Sequence, residues 1–261
     1  MAGKSWRFGD EELGYIKEVL DSGFGASTEG TMNARLERKF AERFGVRYGI
    51  THSNGTATMH SCLAAAGVGP GDEVIVPALT VISTASVVLH QNAVPVFADI
   101  DPHTFNIDPA DVATKITPRT KAIIPVGLYG LPADMDPIME LAKKHNLYVI
   151  EDNAQCFLGM YKGRLAGSIG HMASFSFENS KHMTTGDGGI VITDDEVLAK
   201  RIRKFQCLGY SVVEADNGSV RTKKDAFQNP NFKRHDAFGC ISHKSVVAVG
   251  QKFVQLMEQN I

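Results

Sequence analysis

Short, almost wholly apolar segments alternate with segments of helical period through the first two hundred residues of this 261-residue chain. No other feature constrains the fold as much. Apolar runs that predict strands lie at 48–52, 73–76 (ended by Pro77), 96–99, 121–125, 147–151, 173–177 and 189–193. Between them the 3.6-residue period predicts helices. Leu13, Ile16 and Leu20 mark one that Gly23 should stop, and Met32, Leu36, Phe40 and Phe44 mark a second ending at Gly45. A third follows Ser53-Asn54-Gly55-Thr56 and runs through Leu63 to Ala66, and others cover 80–90, 134–145 and 195–207. Strands without polar alternation are covered on both faces, so the pattern predicts a doubly wound, mostly parallel α/β sheet. Ligands of such sheets sit beyond the carboxyl ends of the strands. After Tyr210 the pattern fades into a polar stretch, 212–233, with turn signals at Asn217-Gly218 and Asn229-Pro230.

Composition excludes more than it identifies. Twenty-seven basic side chains against 29 acidic ones give a net charge of −2, without the basic excess that a nucleic-acid binder uses to displace counterions. The runs 200–204 and 221–224 read as solvated faces. The four cysteines, Cys62, Cys156, Cys207 and Cys240, form no CxxC pair, and so make neither a zinc pattern nor a disulfide framework. No HExxH spacing occurs among the histidines. Gly3-Lys4-Ser5 lacks the rest of a P-loop, and no GxGxxG opens a βαβ unit. The N-terminal residues lack a signal-peptide apolar region. The longest stretch without charge, 74–98, is interrupted by Pro77, Gln91, Asn92 and Pro95 and is not expected to span a membrane. The expected location is the cytoplasm.

Three loops could build one site. In Ser53-Asn54-Gly55-Thr56-Ala57-Thr58 a helix begins directly after a strand. Its N–H groups and the Thr56 hydroxyl could hold an anion such as phosphate, or the polar residues could simply cap the helix. In Glu151-Asp152-Asn153-Ala154-Gln155 an acid ends a buried strand, which demands a partner. Asp152 could hold a protonated ring nitrogen, with the small Ala154 admitting a flat ring and Gln155 beside it, or it could cap the next turn. In Ser174-Phe175-Ser176-Phe177-Glu178-Asn179-Ser180-Lys181, Lys181 stands between an apolar strand and the glycine-rich turn Gly186-Asp187-Gly188-Gly189. An amine held near a cationic ring in a dry site can lose its proton and attack a carbonyl; the other reading is a surface lysine.

Taken together these blocks resemble the DegT/DnrJ/StrS sugar aminotransferases, which depend on pyridoxal 5'-phosphate and belong to the fold-type-I aminotransferases. The resemblance spans about Phe8 to Tyr210. It also includes Gly69-Pro70-Gly71-Asp72-Glu73-Val74-Ile75-Val76-Pro77, Pro95-Val96-Phe97-Ala98-Asp99-Ile100-Asp101, Ile116-Thr117-Pro118-Arg119-Thr120-Lys121-Ala122-Ile123, Leu128-Tyr129-Gly130 and Tyr161-Lys162-Gly163-Arg164. It implies a fold-type-I large domain with a mostly parallel seven-stranded sheet flanked by helices, over residues 1–235. Residues 236–261 would begin a truncated or divergent C-terminal region.

Carried over by position, Lys181 resembles the lysine that forms the internal Schiff base and moves protons. Asp152 resembles the acid that keeps the pyridine nitrogen protonated, the protein's main electronic lever on this cofactor. Gln155 matches the residue near the ring hydroxyl, Ala154 the small residue at the ring, and Gly55, Thr56 and Ser176 the phosphate cup. Dehydrating relatives carry histidine where Lys181 stands, so Lys181 implies transamination. The amino donor implied is glutamate and the acceptor a keto-sugar nucleotide, in amino-sugar or surface-polysaccharide biosynthesis. The assembly implied is a homodimer, with neither nucleic acid nor membrane as a partner. Two departures stand out. Val81 replaces the aromatic residue that usually stacks on the cofactor, and Ile241-Ser242-His243-Lys244 replaces an Asn-Tyr-Arg continuation that reaches the partner subunit's phosphate site. The second departure admits an alternative function, a fragment that binds cofactor or a partner chain without turnover.

Overall fold

The computed structural model describes residues 8–22, 32–207, 213–216 and 219–222, the last two stretches as backbone only. The helices are α1 (Asp10–Asp21), α2 (Met32–Phe44), α3 (Gly55–Ala65), α4 (Ser83–His90), α5 (Pro109–Lys115), α6 (Met135–His145) and α7 (Glu196–Gln206). The strands are β1 (Tyr48–His52), β2 (Glu73–Pro77), β3 (Val94–Ala98), β4 (Thr120–Ile123), β5 (Tyr148–Asp152), β6 (Met160–Tyr161), β7 (Arg164–Leu165), β8 (Met172–Ser176), β9 (Gly189–Thr193), β10 (Val213–Asp216) and β11 (Ser219–Thr222).

The main sheet has seven strands in the order β1-β9-β8-β5-β4-β2-β3. Pairings from β8 to β3 are parallel, and β9 runs antiparallel to both β8 and β1. The sheet is thus mostly parallel, as expected. Side chains alternate between its faces. Val74, Val76 and Ile150 pack with Met59, Leu63, Val87 and Val88, under α3, α4 and α7. Ile75, Ile123 and Val149 pack with Val112, Ile138 and Ala142 of α5 and α6. On the same strands, therefore, adjacent apolar residues serve opposite layers, which is why the sequence shows runs and not alternation. Phe40 stacks on Phe44 at 4.6 Å and meets Phe175 edge-on at 5.0 Å, seating α2 against β8.

Several boundaries differ from the sequence reading. β3 starts at Val94 and lies at the sheet edge, where Val94 and Phe97 stay half exposed because only one side has a neighbouring strand. α5 has no counterpart in the periodicity, being too short to repeat an apolar face. Its start signature is nonetheless present: Pro109 opens the helix, and Asp108 Oδ1 accepts from Ala110 N at 2.8 Å. The two-residue strands β6 and β7 are also below what a pattern can reveal. Gly45 ends α2 with φ +66°, as its position predicted. The stretch 74–98 folds as β2, α4 and β3, and among the described residues no helix is long and apolar enough to cross a membrane. The expected stop at Gly23, the 235/236 boundary, the 229–230 turn, Cys240 and the departure at 241–244 lie outside the described residues.

Candidate functional site

Parallel strands release the chain at one edge of the sheet, and here β1, β2, β4, β5 and β8 all do so around a single cavity of about 240 Å³. Asn54, Gly55 and Thr56 follow β1, and Thr80, Val81 and Ser83 follow β2. Val126 comes after β4, while Asp152, Ala154 and Gln155 end or follow β5. Ser176, Glu178 and Lys181 end or follow β8, and Asp187 precedes the antiparallel β9. Every residue singled out for a site role in the sequence therefore lines one space.

The start of α3 is built as a donor cradle. The Asn54 side chain accepts from Ala57 N at 2.8 Å, and its carbonyl accepts from Thr58 N at 3.2 Å. Those bonds cap the helix and leave the N–H groups of Gly55 and Thr56 as donors at its positive end. The capping and anion-binding readings of this loop are thus compatible. Gly55 presses against Ser176: a Cβ at position 55 would lie 2.7 Å from Ser176 Cβ and 3.1 Å from its Oγ. Only glycine lets the helix start and this hydroxyl come so close. Behind them, a Cβ on Gly189 would meet the Asn54 backbone at 2.8 Å.

The acid is buried. Asp152 is 4% exposed, and desolvation pushes its carboxyl above the usual carboxylate range. Three interactions pull back toward the charged form: Ala154 N donates to Oδ1 at 3.2 Å, the Thr84 hydroxyl donates to Oδ2 at 3.0 Å, and the Lys181 charge acts through space. Asp152 in turn adds to the burial that pushes the Cys62 thiol well up.

Lys181 sits on a pinned turn. Its N–H donates to the Glu178 carbonyl at 3.0 Å, and Glu178 Oε2 accepts from Ser180 N at 2.9 Å and Ser180 Oγ at 2.5 Å. Those Ser180 donors hold the Glu178 carboxyl below its usual range. Farther on, Thr184 Oγ1 and Thr185 N both donate to the Phe177 carbonyl. The loop is thereby folded back on the end of β8, with Lys181 half buried at the cavity. Gln155 Oε1 accepts from Tyr129 N at 3.2 Å, so the group its side chain offers a ligand is the Nε2 donor. Val81 lines the cavity with half of its surface exposed.

Sequence reasoning missed Met59, Thr80, Ser83 and Val126 as lining residues, and it missed the Thr84 hydroxyl beneath Asp152. The 80–84 spacing of two threonines in a predicted helix was a signal, but their target, Asp152, lies at the end of β5. The basic run 200–204 also needs correction. Arg203 pairs with the buried Glu37, Arg201 donates to the Ala65 carbonyl at 3.1 Å, and Lys200 pairs with Glu196. Two of these cations are tied into the fold and do not form a solvated face. Among the described residues no cluster of His, Cys, Asp and Glu could hold a metal ion.

Residues 7–230 match the DegT/DnrJ/EryC1/StrS aminotransferase family. The chain is 47% identical over 203 residues to GDP-perosamine synthase of Caulobacter vibrioides, covering 78% of this chain and 54% of that protein. It thus spans about half the length of the curated relatives it matches. Among solved structures, the aminotransferase from Psychrobacter cryohalolentis superposes with a TM-score of 0.83 at 38% identity, over 95% of this chain and 62% of that one. The PLP form of Spr1654 from Streptococcus pneumoniae gives 0.79 at 27% identity, over 97% and 65%.

Proposed function

Because the chain belongs to the DegT/DnrJ/EryC1/StrS aminotransferase family, we propose that its cavity is the cofactor site of a sugar aminotransferase that moves an amino group from glutamate to a nucleotide-linked keto sugar. The cofactor of this family is pyridoxal 5'-phosphate, and the residues present fit it. A buried carboxylate, an amine and a donor cradle at a helix start face one cavity of about 240 Å³. The observation that carries the reading is that the buried carboxyl of Asp152, 4% exposed, and the amine of Lys181 line the same cavity as the α3 N-terminus.

Each residue has a defined task. The Gly55 and Thr56 N–H groups, with the Ser176 hydroxyl, would bind the phosphate at the α3 N-terminus. Asp152 would hold a proton on the ring nitrogen, and Gln155 Nε2 would donate to the ring hydroxyl. Ala154 would leave room for a flat ring, with Val81 as an apolar cover. When bound, the cofactor supplies an electron sink for charge developing at the substrate carbon. Lys181 Nζ would anchor the cofactor and then carry the proton to and from that carbon. The relative's name, GDP-perosamine synthase, supports a nucleotide-linked sugar as the acceptor. A second copy of the chain and the cytoplasm complete the proposal.

The test is direct. Purified chain mixed with pyridoxal phosphate should turn yellow, and borohydride should fix the cofactor's mass on Lys181. Lys181→Ala should show no fixed adduct. With glutamate and a nucleotide keto sugar, the wild type should form the amino sugar. A wild-type chain that shows neither colour nor adduct would overturn the reading.

A further inference from the structure

Two threonine hydroxyls lie in series behind the buried acid. Thr84, fully buried on the first turn of α4, donates to Asp152 Oδ2 at 3.0 Å. Its oxygen also lies 3.1 Å from Thr80 Oγ1, and Thr80 lines the cavity. An ionised carboxylate only accepts, so the Thr84 proton is committed to Asp152, and toward Thr80 the Thr84 oxygen must act as acceptor. Ala154 N occupies the other carboxylate oxygen at 3.2 Å. Each oxygen of Asp152 therefore has one donor from a different element, α4 and the turn after β5.

We propose that Thr84, supported by Thr80, is a positioning residue that fixes the rotamer and the ionised state of Asp152 through this ordered hydroxyl chain. The inference deepens the functional reading, on which it rests for the ligand but not for the geometry. Without the chain, a carboxylate in so dry a place would lose one of the few donors that favour its charge. Of the titratable groups, Lys181 across the cavity and Cys62 from α3 also sense Asp152. The Lys181 charge favours ionisation. The threonines fix the angle of the carboxylate.

Carboxyl 13C NMR on the full chain labelled at aspartate, without cofactor, tests the idea, with Asp152→Asn assigning the resonance. Thr84→Val should make Asp152 bind its proton about tenfold more tightly, as loss of a hydrogen bond to a charged group demands. Thr84→Ser should restore the wild-type titration. Thr80→Val should shift it in the same direction by less, and carries the test should Thr84→Val fail to fold. Uptake of pyridoxal phosphate, followed by equilibrium dialysis, should weaken about tenfold in Thr84→Val and recover in Thr84→Ser. An Asp152 titration unchanged in both valine variants overturns the inference. A shifted titration in a chain whose wild type takes up no cofactor sustains it while removing the functional reading.

Discussion

Val81 shows how much one side chain can matter in the proposed cofactor site. It lines the cavity with half its surface exposed, at a position where the resemblance implies an aromatic ring. A branched aliphatic can exclude water from a ring face but contributes no stacking. Restoring an aromatic group by Val81→Phe should add about 0.5–1.5 kcal/mol of binding, roughly two- to thirteenfold tighter cofactor retention. Equilibrium dialysis of pyridoxal phosphate against both chains measures it, and equal retention would show that stacking at this position is not available. Gly55 makes the converse point: its value lies in having no side chain, because Ser176 fills the space a Cβ would need.

At the level of elements, α2, β1 and α7 are joined by a buried polar knot. Glu37 Oε1 accepts from Thr51 N and Thr51 Oγ1, both at 2.9 Å, and from the Arg203 guanidinium. The side chains of Arg203 and Glu37 are 11% and 3% exposed. Removing one partner leaves a buried charge uncompensated, so Arg203→Ala should destabilise the fold by about 3–5 kcal/mol in urea unfolding. Replacing Glu37 and Arg203 together by methionine should cost much less, because neither charge then remains in the interior. A single variant no worse than the double would refute that account. The knot also shows that Arg203, in a basic run of ordinary appearance, is held inside the fold.

Opposing carboxylates should set how the stability of the whole molecule depends on pH. Hydrogen bonds from Thr117 and Arg119 hold Glu73 below its ordinary value, whereas burial holds Glu151 and Asp152 above theirs. A lowered native value means that the stability Glu73 contributes is complete above pH 4.5, its unfolded value, and is lost as the pH falls through the native one. The raised pair has the opposite sign: their contribution is complete at low pH and is lost as the pH rises through their native values. Glu73→Gln should therefore flatten the acid limb of the stability curve below about pH 4.5, measured as urea midpoints across pH. An acid limb as steep as the wild type's would place the proton uptake elsewhere.

The layer architecture was legible in the sequence because burial on both faces of a strand and on one stripe of a helix writes itself into local residue order. Most helix and strand positions, the Gly45 stop, and the loops carrying Asp152, Gln155, Ser176 and Lys181 followed from that order and from the resemblance of the blocks. Elements too short to repeat their pattern, such as α5 and the β6–β7 pair, left no periodic record. Residue order is equally silent about pairs that meet only after the sheet is assembled. The Thr84–Asp152 bond joins residues 68 apart, and the Arg203–Glu37 pair joins residues 166 apart. The same is true of the close approach of Gly55 to Ser176. Local periodicity reports which side of an element is apolar, but a hydrogen bond across the fold depends on strand order and register, and those were decided only when the chain packed.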